Sequence, residues 1–180
     1  MKVIPTGLND CVIIEPKVYG DHRGFFLETF QAARYAELAG IEFPFVQDNH
    51  SRSAKGVLRG LHFQVTKPQG KLVRVVSGEV FDVALDLRRD SPTFGQWEGV
   101  YLSEENKRQF WVPPGFAHGF VVVSEVADFE YKCTDYYDPT DEGAIRWNDP
   151  ELAIEWPEGL DVKLSEKDAS APSFREFLES

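Results

Sequence analysis

Cysteine and methionine are scarce: the 180 residues include only 2 Cys and 1 Met. Cys11 and Cys133 lie far apart and form no paired ligand motif, which argues for two reduced, buried thiols and against a disulfide framework. No apolar run approaches the roughly 20 residues needed to cross a bilayer. Pro5, Asn9 and Asp10 interrupt the stretch where a secretory leader would carry its apolar centre. A cytoplasmic protein with no membrane partner is therefore expected. Positive charge is also in short supply, with 19 Lys and Arg against 30 Asp and Glu, a formal net charge of −11. Such a surface repels phosphate backbones and argues against nucleic-acid binding. One small phosphorylated ligand in a locally basic pocket remains compatible with it.

What the chain does have is material for a rigid core, with 42% hydrophobic and 13% aromatic residues. Its length suits one domain spanning 1–180, and no repeat, linker or low-complexity tract divides it. Most segments are short, rich in Val, Phe, Leu and Tyr, and bounded by Gly, Pro, Asn or Asp. Candidate strands are Val12–Glu15, Phe25–Phe30, Pro44–Gln47, Val57–Gln64, Lys71–Ser77, Glu79–Leu87, Trp97–Leu102, Arg108–Val112, His118–Val123 and Asp128–Thr134. In Glu79–Leu87, Phe81, Val83, Leu85 and Leu87 share one face, while Asp82, Ala84 and Asp86 share the other. Ser77-Gly78 reads as a hairpin turn. Only Ala32–Ala39 and Ser173–Leu178 look helical, so an all-β antiparallel sandwich or barrel with a few short helices is predicted. Asp135–Pro157, rich in Asp, Pro, Gly and Trp, reads as a surface excursion.

The chemistry-bearing candidates start with the 4 histidines, His22, His50, His62 and His118. Gly56 to His62 resembles the first motif of the cupin jelly-roll barrel, and Pro113-x-Gly115-x-x-His118 resembles the second. Metal-binding cupins continue the first motif as His-x-His followed by Glu. Here Gln64 replaces the second His and no Glu follows before Glu79, a poor ligand set for a catalytic metal.

Longer segments carry a closer resemblance. They are Gly20-Asp21-His22-Arg23-Gly24-Phe25-Phe26, Val46-Gln47-Asp48-Asn49-His50-Ser51, Val57–Gln64, Gln69–Arg74, Ser91–Trp97 and Pro114–Phe120. In order and spacing they resemble the dTDP-4-dehydrorhamnose 3,5-epimerase family, over about Pro16 to Pro172. The resemblance implies a cupin-like jelly roll, a homodimer, no cofactor, and dTDP-4-dehydro-6-deoxy-D-glucose as substrate. A proton on either carbon beside the 4-ketone is acidic because the resulting carbanion delocalises onto the ketone oxygen. Inversion needs a base on one face, enolate stabilisation, and a proton delivered to the other face. Single-carbon epimerases, 3,4-ketoisomerases and a non-catalytic sugar-binding jelly roll are the competing readings.

By resemblance His62 is the base and Asp168 its carboxylate partner, although Asp168 also reads as a cap of the last helix. Lys71 matches the group facing the ketone oxygen, and an exposed strand-start lysine is its plain alternative. Tyr131 matches the opposed acid. Strand alternation places it on one face with Phe129 and Cys133, as it would a core tyrosine. The family's binding positions fall on Arg23, Phe26, Glu28, Gln47, Asp48, Asn49, Arg59, His118, Glu142 and Lys167, with Tyr137 stacking on the base. The resemblance also implies that the N-terminal region of one subunit contributes to the other's nucleotide site; Phe25-Phe26, after Arg23-Gly24, is compatible with that and equally with an ordinary core strand. A regular strand would point Arg59 and His62 to opposite faces, so a bulge at Gly60 is expected.

Overall fold

The computed structural model describes residues 1–180. Thirteen strands form: β1 Lys2–Pro5, β2 Val12–Glu15, β3 Val18–Asp21, β4 Gly24–Leu27, β5 Gln47–Ala54, β6 Leu58–Gln64, β7 Lys71–Ser77, β8 Glu79–Asp86, β9 Trp97–Ser103, β10 Gln109–Val112, β11 Phe116–Val122, β12 Val126–Cys133 and β13 Glu142–Ala144. Three short helices accompany them: α1 Ala32–Ala39, α2 Glu166–Ala169 and α3 Phe174–Glu179. One sheet has the order β1-β2-β10-β7-β12-β5, the other β13-β6-β11-β8-β9, and β3-β4 is a separate hairpin. The pairs within the sheets are antiparallel, giving the cupin-like jelly roll.

Apolar side chains from both sheets meet between them, including Val73, Val75, Val80, Phe110, Phe116, Phe120 and Phe129. The outer face of the five-stranded sheet is buried too. Phe81, Val83, Leu85 and Leu87 pack there with Leu61, Ile145, Leu152 and Phe174, with Trp147 and Trp156 partly buried against them. Asp135–Pro157 is therefore more than a surface excursion: its strand β13 and its apolar residues cover this sheet. The Trp156 indole donates to the Trp147 carbonyl (2.8 Å), which satisfies the polar edge of a ring used for packing. On the other sheet α1 closes a smaller cluster through Tyr35.

Turn chemistry holds the strands in register. Gly78 has φ of 78°, and a Cβ there would lie 2.1 Å from the Val126 carbonyl oxygen, so the β7–β8 turn requires glycine. Before α3, Ser173 and Glu176 form a reciprocal capping box. The Ser91–Thr93 turn is tied to Asp86, whose carboxylate accepts from Arg88, Ser91 and Thr93. Burial pushes that carboxyl up, but these bonds prevail and hold its pKa at about 2.

Three strands escape the sequence pattern altogether: β1, β3 and β13. Pro44–Val46 lies outside the strands, and β5 runs instead through the polar Gln47–Ala54. That strand is the sheet edge beside the cavity described next.

Candidate active site

The site begins with an irregularity in β6. His62 pairs with His118 on β11, yet Arg59 pairs with Phe120, so three steps on β6 match two on β11. Gly60 occupies this bulge with φ of 126°, and a Cβ would sit 2.6 Å from the Gly119 Cα. The peptide that follows it is cis. The expected bulge is present, and Arg59 and His62 line one cavity. The amide of Gly60 donates to Asp168 Oδ2 (3.3 Å).

Asp168 reaches that position from the C-terminal segment. A parallel bridge between Val57 and Lys163 pins this segment against the start of β6. Ser165, not Asp168, caps α2, and its hydroxyl accepts from the Asp168 amide (3.1 Å). Asp168 is thereby free to turn its carboxylate to His62, whose Nε2 lies 2.5 Å from Oδ1. The carboxylate is 4% exposed and the imidazole 30%. Burial pushes the Asp168 carboxyl up, but His62, the Gly60 amide and Ser165 outweigh it, so its pKa lies below the ordinary 3.8. Nε2 is committed to Asp168, which leaves Nδ1 as the basic nitrogen.

Lys71 and Tyr131 enter from the opposing sheet, on β7 and β12. His62, Lys71 and Tyr131 line both lobes of the cavity, of about 480 and 250 Å³. Burial lowers the Lys71 ammonium pKa, while Cys133, Asp82 and Glu142 pull it back up. Burial raises the Tyr131 phenol pKa, so the hydroxyl keeps its proton at neutral pH. His118, from β11, donates through Nε2 to the buried Asp82 at 2.9 Å. Asp82 stands behind the cavity lining and holds His118 there, although the alternation of β8 reads it as merely polar. An Asp inside the otherwise apolar Val80–Leu85 run is the signal that could have marked it.

The smaller lobe carries the other polar group of the reading. Tyr137 donates to Glu142 Oε2 (2.9 Å), and Lys167 pairs with the same oxygen. The Tyr137 amide donates to Gln47, whose side-chain amide donates in turn to Asn49 at 3.1 Å. Gln64 also lines this lobe, with its amide engaged by the protein: its Oε1 accepts from the Asp138 amide and its Nε2 donates to the Lys67 carbonyl, clamping the loops above β6. His62, His118 and Gln64 are thus each committed to a different partner.

Four residues of the predicted set stand elsewhere. Asp48 alternates to the opposite side of β5 and pairs with Lys132 at 3.0 Å. Arg23, with a 79% exposed side chain, pairs with Asp21 on the β3–β4 hairpin, and Phe26 on the same hairpin is 69% exposed. Glu28 pairs with Arg34 of α1.

A histidine backed by a buried carboxylate, a cation and a protonated phenol around one cavity define an acid–base enzyme on a jelly-roll barrel. A sequence model of dTDP-4-dehydrorhamnose 3,5-epimerase matches residues 5–176, and the chain belongs to that family. It is 60% identical to the dTDP-4-dehydrorhamnose 3,5-epimerase of Salmonella typhimurium over 179 residues, 99% of this chain and 98% of the relative. Its fold matches the crystal structure of dTDP-6-deoxy-D-glucose-3,5-epimerase from Legionella pneumophila in complex with dTDP-4-keto-L-rhamnose. That match has a TM-score of 0.94 and 64% identity, and covers 97% of this chain and 93% of the other. A 3′-monoepimerase from Streptomyces bikiniensis, in complex with dTDP-quinovose, matches with a TM-score of 0.91 and 33% identity, covering 98% and 90% of the two chains.

Proposed function

We propose that this chain inverts carbons 3 and 5 of dTDP-4-dehydro-6-deoxy-D-glucose to give dTDP-4-dehydro-L-rhamnose. The observation that carries the reading is the placement of His62–Asp168 on one sheet side and Tyr131 on the other, lining the same cavity with Lys71. His62 Nδ1 takes the proton from the carbon beside the ketone, and the electron pair of that C–H bond moves onto the carbonyl oxygen as an enolate. Lys71 stabilises the oxygen's charge, and the ionised Asp168 stabilises the imidazolium. The enolate collapses, and its carbon takes a proton from the Tyr131 hydroxyl on the far face. His62 releases its proton and the phenolate regains one from solvent, so the cycle is an isomerisation with no net redox change.

The basic side chains of Arg59 and Lys167 at the cavity suit the diphosphate, and Tyr137 suits the nucleotide base. The hairpin bearing Arg23 and Phe26 completes the site of a second copy in a homodimer, an arrangement supported by its exposed aromatics. No helix of the chain is long and apolar enough to cross a membrane. Turnover proceeds without a metal and is expected to survive exhaustive chelation. The direct test incubates the enzyme with this substrate in deuterated water and reads deuterium at each carbon. Incorporation at carbons 3 and 5 with an L-rhamno product is the expected result; incorporation at one carbon alone contradicts double inversion.

A further inference from the structure

One buried side-chain polar atom in the chain has no hydrogen-bond partner in the protein, and it is Ser51 Oγ. Buried hydroxyls are almost always paired, so an orphan calls for an explanation. Ser51 sits on β5 opposite Phe129, on the same strand face as Gln47 and Asn49, and it lines the larger lobe with Arg59, His62 and Lys71. Its neighbour one period along behaves differently: Ser53 Oγ accepts from Arg59 Nε at 3.1 Å. That bond uses one edge of the guanidinium, and no hydrogen bond to the protein engages the terminal nitrogens of Arg59. Two residues with unused donors therefore line one lobe.

We infer that Ser51 Oγ is a substrate-binding group that donates its hydrogen bond to an acceptor oxygen of the bound sugar diphosphate, beside Arg59. The inference rests on the functional reading above and deepens it. The oxygen belongs either to the diphosphate or to the adjoining sugar, and both offer the same acceptor chemistry. A hydroxyl whose partner arrives with the ligand has a distinctive signature. Removing it does not harm the ligand-free protein, because nothing there is lost, but it weakens binding.

The test uses Ser51→Ala in the full chain, with thermal melting, titration with dTDP and with dTDP-glucose, and steady-state epimerisation. The ligand-free melting midpoint should stay level or rise, while affinity falls about five- to tenfold and the variant's KM rises more than its kcat falls. A loss for dTDP itself places the oxygen on the diphosphate; a loss for dTDP-glucose alone places it on the sugar. Wild-type affinity for both ligands overturns the inference, as does a lowered ligand-free midpoint with unchanged affinity, which marks a structural hydroxyl. If the wild-type protein neither binds dTDP nor epimerises, the functional reading falls and this inference with it. If the wild type does both and Ser51→Ala matches it, the inference alone falls.

Discussion

His62 and His118 are paired across β6 and β11, and each holds a buried aspartate through Nε2. Around these similar contacts the surroundings differ. The His62 ring is 30% exposed at the cavity, whereas the His118 side chain is 8% exposed and Asp82 is fully buried. Asp168 accepts from the Gly60 amide as well as from His62, and its pKa is lowered. Asp82 stands inside the barrel, where burial outweighs His118 and Lys71 and raises its pKa. On the proposed roles, a His–Asp contact alone does not make a base. A pair that must gain and release a proton needs a carboxylate that stays ionised and a ring nitrogen open to the substrate. The inner pair instead keeps His118 in place behind Phe129 and Phe120 and presents its ring to the cavity.

Removing the charge from the outer pair should have the largest effect. Asp168→Asn keeps a hydrogen bond to His62 but not the charge that stabilises the imidazolium. Turnover should fall about a hundred- to ten-thousandfold, with the unfolding free energy moved by only about 1 kcal/mol. A near wild-type kcat would remove the distinction between the pairs.

Tyr131→Phe sharpens the assignment of faces. It keeps the ring and deletes the hydroxyl, so His62 can still remove a proton and return one to the same face. Recovered substrate should gain deuterium from solvent, while product inverted at carbon 5 falls by about a hundredfold or more. Equal loss of exchange and inversion would make Tyr131 an orienting group.

The inner pair should reveal itself first in stability. His118→Leu leaves the Asp82 carboxylate buried without its partner, a change worth about 3–5 kcal/mol in denaturant unfolding. A cost below about 1 kcal/mol would show that Asp82 finds another partner or protonates freely.

The smallest effect is a pH dependence of opposite sign for the two carboxylates. Asp168 has its folded pKa below 3.8, so its contribution is present above 3.8 and lost as pH falls through the folded value. Asp82 has its folded pKa above 3.8, so the folded state retains its proton longer and stability falls as pH rises through that interval. Unfolding measured against pH should therefore show the wild-type advantage over Asp168→Asn shrinking in acid, and that over Asp82→Asn growing. Slopes of the same sign would contradict the contrast in environments.

The barrel was legible where a strand face is apolar, as in β7, whose bounds match the pattern of Lys71–Ser77 throughout. Helix α1 was legible for the same reason, with Gly40 ending it in the left-handed region. Legibility failed along the cavity. β5 reads Gln-Asp-Asn-His-Ser-Arg-Ser-Ala, polar on both faces, because one face lines the site and the other carries ion pairs. The bulge at Gly60 could be anticipated from a conflict, since Arg59 and His62 had to share a cavity that regular alternation would deny them. Asp82 and Ser51 were not anticipated, because a buried pair and an orphan hydroxyl are properties of packing. The roles given to Arg23, Phe26 and Glu28 rest on resemblance, and a single chain places them outside the cavity.

The proposed division of labour makes the His62 pair the base and gives the His118 pair no part in proton abstraction. Solvent deuterium exchange into substrate, compared in His62→Asn and His118→Asn at saturating concentration, tests it directly. His62→Asn should lose exchange at carbons 3 and 5 by about a hundredfold or more while still binding dTDP, and folded His118→Asn should continue to exchange. Exchange near the wild-type rate in His62→Asn, or its complete loss in a folded, saturated His118→Asn, would overturn this division between the two pairs.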